Sequence, residues 1–156
     1  MKYGLFLMPS HPPERELFQA HQWDLDCLSL ADRLGFEEAW IGEHFTSPWE
    51  PIPAPDLMIA QALMLTKNIR LATGVHLLPY HHPAELACRV AYLDHMALGR
   101  FMFGIGSAGL PTDYTMLDVD GMNGQHRGMT REAIDIVHRL WAEDEPFEYK
   151  GEFWNV

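Results

Sequence analysis

Hydrophobic periodicity along the chain switches repeatedly between two modes, and the order of the switches limits the possible folds more than any other feature. Short, nearly continuous apolar runs at residues 3–8, 38–42, 69–78 and 100–105 have the length and character of parallel strands covered on both faces. Between them apolar residues step by three or four, as helices require: Ala20, Trp23, Cys27, Ala31 and Leu34; Leu57, Ala60 and Met64; Leu86, Val90, Leu93 and Ala97. After the last strand Met129, Ala133, Ile136, Val137, Leu140 and Trp141 form a further helical stripe.

Punctuation supports these boundaries. Gly35 and Gly99 stand where left-handed helix caps belong, and Pro55 and Pro83 where helices start. The order is βαβαβαβα, with strand starts roughly thirty residues apart, the length of a right-handed βα unit. Two α/β architectures accept that order, an open doubly wound sheet and a (β/α)8 TIM barrel. A barrel needs eight units and about 250 residues, so on that reading residues 1–156 are the N-terminal half of a barrel domain, roughly its first four βα units, with unpaired edge strands. The tail, residues 148–156, reads as a hairpin turning at Lys150 and Gly151.

Charge narrows the partners. Eleven Lys and Arg against 22 Asp and Glu give −11, which repels a polyanion, so nucleic acid and anionic membrane are excluded as main partners and a small neutral or apolar ligand is favoured. Cys27 and Cys88 lie in apolar helical stretches without CxxC spacing and read as two buried thiols in a reducing compartment. No apolar run approaches the ~18 residues of a membrane span, so a cytoplasmic protein is expected.

In both architectures chemistry gathers at the C-terminal ends of strands. His44 follows Glu43 there, and an imidazole that titrates near neutrality beside an orienting carboxylate is a candidate general acid or base; a hydrogen-bonded structural histidine is the alternative. Thr73-Gly74-Val75 interrupts a β-branched strand with glycine, marking either a simple kink or a close approach of the backbone to a ligand. Gly104 to Gly109 spells GxGxxG, but helical periodicity resumes only near Arg127, so no helix N-terminus meets a pyrophosphate. That run is either a flexible loop or one whose N–H groups approach a phosphate or ring, around Gly106 and Ser107. Histidines are abundant, but HxH and HExxH are missing, and no metal site is expected. Trp23, Trp40 and Trp141 read as core.

Taken together, Gly4-Leu5-Phe6, Trp40-Ile41-Gly42-Glu43-His44-Phe45, Leu71 to Val75, Leu78 to Pro83 and Leu93 to Phe101 resemble the bacterial luciferase-like flavin monooxygenases, closest to the limonene monooxygenase-like branch. The resemblance implies a TIM barrel that takes reduced FMN from a partner flavin reductase and uses O2 to oxygenate a small apolar organic substrate, commonly as a homodimer. It implies that His44 is the active-site histidine, Glu43 its acidic neighbour and Phe6 part of the site wall. Thr73, Gly74 and Val75 fall where the family has a bulge and a non-prolyl cis peptide against the flavin ring, and Asp113 matches a position near that ring. Luciferase itself has a reactive cysteine and a phosphate-binding arginine where this chain has Gly106 and Ser107. Here the N–H groups of residues 106–109 would replace part of that anchor. Phe6, Met8 and Trp40 or Phe45 would keep water out. The alternatives are a reductase or dehydrogenase of the same superfamily using F420, and a non-catalytic half-barrel that self-associates through its open edges.

Overall fold

The computed structural model describes residues 1–156. In chain order the elements are β1 (Gly4–Leu7), α1 (Leu17–Arg33), β2 (Glu38–Ile41), α2 (Pro55–Leu65), β3 (Arg70–Thr73), β4 (His76–Leu77), a 3-10 turn (Leu78–Tyr80), α3 (Pro83–Ala97), β5 (Phe101–Met102), β6 (Ile105–Gly106), α4 (Pro111–Met116) and α5 (Gln125–Ala142). They divide into two compact units, residues 1–76 with 92–105, and residues 77–91 with 106–156.

The first unit is built on a parallel sheet in the order β1-β2-β3-β5. Every strand lies beside its predecessor, with Leu5, Ala39, Leu71 and Phe101 in one row and Phe6, Trp40, Ala72 and Met102 in the next. A doubly wound sheet reverses direction within its first four strands, as in the order 3-2-1-4, whereas a barrel adds strands in one direction, so this order is the barrel's. The rows face opposite ways. Ala39, Ile41 and Leu71 are fully buried with Leu28 of α1, Ile59 of α2 and Leu93 of α3, each large side chain contributing about 1.5–3 kcal/mol on burial. On the other face Phe6 is 62% exposed, so the dry wall expected around it is not formed by these residues.

Helix ends follow the sequence signals. Glu16 caps α1 by accepting the N–H groups of Phe18 and Gln19 at 3.0 and 2.9 Å. Gly35 and Gly99 take φ of 81° and 82° just beyond helices α1 and α3. The faces of α1 and α2 are displaced from the expected stripes. Trp23 and Leu34 of the expected α1 face are exposed and Cys27 is half-buried, while Asp24, Leu25 and Leu28 are buried beside Ala20 and Ala31. Asp24 turns inward to meet His11, and with Leu25 and Leu28 it takes the place on the buried face expected for Trp23, Cys27 and Leu34. In α2, Leu57 and Met64 face outward while Met58, Ile59, Ala62 and Leu63 fill the core. The third expected strand breaks at Gly74-Val75 into β3 and β4, and the fourth breaks into β5 and β6. Thr73 links the two breaks: its hydroxyl donates to the Gly104 carbonyl at 2.8 Å and accepts the Gly104 N–H at 3.0 Å.

The second unit packs α4, α5, residues 83–91 of α3 and the tail. Leu78, Leu86, Ala87, Val90, Tyr114, Val119, Ala133, Ile136 and Val137 are its buried apolar residues. Cys88 is exposed, because two residues beyond Leu86 a helix presents its outer side. Trp141 is 46% exposed rather than core, its indole N–H donating to the Ala87 carbonyl at 3.1 Å. A short helix, α4, follows the glycine run, and α5 starts at Gln125, ahead of its apolar stripe. The tail is a hairpin, but it turns between Gly151 and Trp154, whose N–H and carbonyl meet at 2.9 Å. Glu132 sets the turn there: its carboxylate accepts the N–H groups of Glu152, Phe153 and Trp154 at 2.8–3.2 Å. No helix is long and apolar enough to cross a membrane.

Candidate active site

The β-ladder persists beyond the assigned end of β2, since the Gly42 N–H donates to the Leu7 carbonyl at 3.1 Å and the Gly74 N–H to the Ile41 carbonyl at 2.6 Å. Extended backbone alternates its side chains. Ile41 and Glu43 go to the covered face, at 0% and 2% exposure, while His44 is partly open. Neighbours in sequence therefore diverge. The Glu43 carboxylate meets His76 Nδ1 at 3.3 Å, both side chains fully buried, and the His76 and Phe103 ring centres lie 5.9 Å apart with the planes at 64°. Facing His44 Nε2 at 3.5 Å is a different carboxylate, that of Glu50.

Beside this strand end the open face of the sheet is apolar and closely built. A Cβ on Gly74 would lie 2.9 Å from Trp40 Cβ and 3.3 Å from Phe6 Cε2. One on Gly42 would collide with the Met8 thioether. Phe6, Met8, Trp40 and the glycines thus form a low aromatic platform on the face opposite the core. The Gly74-Val75 peptide bond is cis. Thr73 is fully buried, with its hydroxyl committed to Gly104, so it braces the platform from behind.

The glycine run serves two ends. A Cβ on Gly104 would fall 3.0 Å from Trp40 Cζ3 and overlap the Thr73 carbonyl, so this glycine answers to packing against β3. Gly109 has open space around it. Gly106, Ser107 and Asp113 belong to the second unit. Gly106 and Ser107 are half-buried, Ala108 takes a φ of 68°, and Asp113 is fully buried in the first turn of α4.

Sequence reasoning gave no role to His11 and His76, which stand at strand ends, and missed Glu50. His11 is 5% exposed, its Nε2 2.9–3.0 Å from both oxygens of Asp24, and the Arg15 guanidinium reaches its Nδ1 at 3.0 Å. Burial pushes the Asp24 carboxyl up, and the bond to His11 holds it partly back. His76 opens β4 directly after the Gly74-Val75 break in the strand. Ser47-Pro48-Trp49-Glu50 carries the signature of a type I turn and could have brought Glu50 back toward His44.

Comparison with known proteins gives a consistent result. The family described as luciferase-like monooxygenase matches residues 1–156. The chain is 41% identical over 146 residues to 4-hydroxyprotoasukamycin monooxygenase of Streptomyces nodosus subsp. asukaensis, covering 94% of this chain and 39% of that protein. It is 40% identical over 141 residues to limonene 1,2-monooxygenase of Rhodococcus erythropolis, covering 90% and 36%. Among solved structures, the oxygenating constituent of 3,6-diketocamphane monooxygenase from Pseudomonas putida, a type II Baeyer-Villiger monooxygenase in complex with FMN, superposes with a TM-score of 0.95 at 35% identity over 100% of this chain and 43% of that one. An F420-dependent secondary alcohol dehydrogenase, at 22% identity and TM-score 0.79, shares the fold alone. The chain spans about two-fifths of the length of the relatives it matches.

Proposed function

This chain belongs to the luciferase-like monooxygenase family, and from that premise we propose that it is the N-terminal part of an FMN-dependent monooxygenase barrel whose His44 manages a proton during oxygenation of a small apolar substrate. The observation that carries the proposal is the aromatic platform of Phe6, Met8, Trp40 and Gly74 on the strand-end face that continues to His44. A planar, largely apolar ring system fits such a surface, where glycine leaves the backbone uncovered and side chains supply only aromatic and thioether faces. Phe6, Gly74 and Val75 would hold the ring, with Thr73 behind them. The N–H groups at Gly106 and Ser107 would serve the phosphate, a segment without Lys or Arg of its own. Asp113 is the remaining proposed contact near the ring.

Reduced FMN, when bound, would supply the two electrons that take one atom of O2 to water while the other enters the substrate. The chain's own residues do the rest. The platform offers apolar faces to one side of the site, and His44, partly open and paired with Glu50, holds a proton at Nε2. Glu43, buried with His76, stabilises the strand end from the covered face. A flavin reductase that delivers reduced FMN and a second copy of the chain are the proposed protein partners, in a cytoplasmic setting. The second copy would meet the exposed Leu57, Met64 and Leu65 of α2.

Two measurements test this reading. Anaerobic titration with reduced FMN should show saturable binding by the intact protein, with F420 binding weaker. His44→Ala should lower oxygenation of small apolar ketones and terpenes by at least ~10²-fold while leaving the unfolding temperature within a few degrees. Full activity in that variant would remove His44 from the chemistry.

A further inference from the structure

The segment between His44 and Ile52 is a closed loop. Its ends are tied by the His44 N–H, which donates to the Ile52 carbonyl at 2.9 Å. Inside, the Glu50 N–H closes a turn on the Ser47 carbonyl at 3.3 Å, with Pro48 presetting the second residue of that turn. The Ile52 N–H then bonds back to the Glu50 carbonyl at 3.0 Å around Pro51. At the tip, the Trp49 carbonyl accepts the His11 N–H at 2.8 Å, and His11 is itself clamped between Asp24 and Arg15. Both neighbours of Glu50 are thus held, and proline at 48 and 51 lowers the entropy lost in ordering them.

Such a frame fixes where the Glu50 side chain can go. Its Oε2 accepts the Ser47 hydroxyl at 3.3 Å and lies 3.5 Å from His44 Nε2. The pair is about one-quarter exposed on each side, open to a reactant yet shielded from bulk solvent. Resting on the role proposed above for His44, we infer that Glu50, and not the adjacent Glu43, is the positioning residue that orients the His44 imidazole. A carboxylate facing Nε2 keeps the neutral ring protonated at Nε2 and fixes its plane, leaving one defined proton at one defined place. Glu43 is unsuited to this, because the strand's alternation sends it to the covered face and His76.

The test reads the ring directly. Long-range 1H–15N spectra of the intact, cofactor-free protein report which imidazole nitrogen carries the proton, and the His44 signals are identified by their loss in His44→Ala. Native His44 should show the Nε2–H pattern. Glu50→Ala should give a mixture of tautomers and about a tenfold fall in kcat at unchanged far-UV circular dichroism, and Glu50→Gln, whose amide oxygen still accepts a hydrogen bond, should restore the Nε2–H pattern. Unchanged His44 nitrogen shifts in Glu50→Ala would overturn the inference even if His44 proves essential. A His44→Ala protein that keeps full activity would overturn the proposed chemistry while the spectra still report on Glu50.

Discussion

Asp32 shows how one side chain near a helix end binds distant chain. Its two carboxylate oxygens accept the N–H groups of Lys67, Asn68 and Ile69 at 2.7–2.9 Å, fastening the end of α1 to the entry of β3. Desolvation works against the charged form, but the three N–H donors outweigh it, and the Asp32 carboxyl sits below its usual value. A lowered folded-state value means that the stabilisation is present above the unfolded pKa and is lost as pH falls through the folded one. Asp32→Asn should therefore cost about 1–2 kcal/mol at neutral pH, and the gap from the native protein should close in acid, below about pH 4. Urea unfolding at several pH values checks both points; a gap that widened in acid would contradict the assignment. The same scale explains why the partner of His44 was misread from sequence. Adjacency suggested Glu43, but extended backbone separates neighbours, and the carboxylate that arrives is six positions away through a turn.

At the scale of elements, the strand and helix order was legible because alternation of apolar runs depends only on period and spacing. Fine placement was not. The buried face of α1 differs from the expected one in part because Asp24, with a histidine partner, looks polar in sequence and is buried in the fold. Cys88 and Trp141 looked like core because apolar residue type was taken for burial, while helical phase puts Cys88 outward. The tail turn moved because Glu132, some twenty residues earlier, supplies the acceptors that define it. The breaks in the third and fourth strands were foreseeable at Gly74 and hidden at Gly104, where the GxGxxG reading drew attention to ligands instead of packing. Two substitutions separate those roles. Gly104→Ala should destabilise by about 1–3 kcal/mol, since its Cβ meets backbone that cannot swing aside. Gly109→Ala, with nothing near its added carbon, should stay within about 0.5 kcal/mol. Thermal unfolding of the two variants side by side measures the contrast, and equal losses would refute it.

For the molecule as a whole, charge and apolar surface pull in opposite directions. Every copy carries −11, so two copies repel, while Leu57, Met64 and Leu65 offer exposed apolar area on α2. Salt screens the first and leaves the second intact. If the proposed self-association uses that area, its mass by light scattering should rise between about 20 mM and about 300 mM salt, as the screening length falls. A mass that falls with salt would assign the contact to ion pairs instead. The Thr73 hydroxyl carries a further consequence. By donating a hydrogen bond to the Gly104 carbonyl and accepting one from its N–H, it rivets the ends of two neighbouring strands to each other. Neither end can be redrawn alone: a lineage, or a designer, that reshapes the mouth of the site at one strand must rewrite the other in the same stroke.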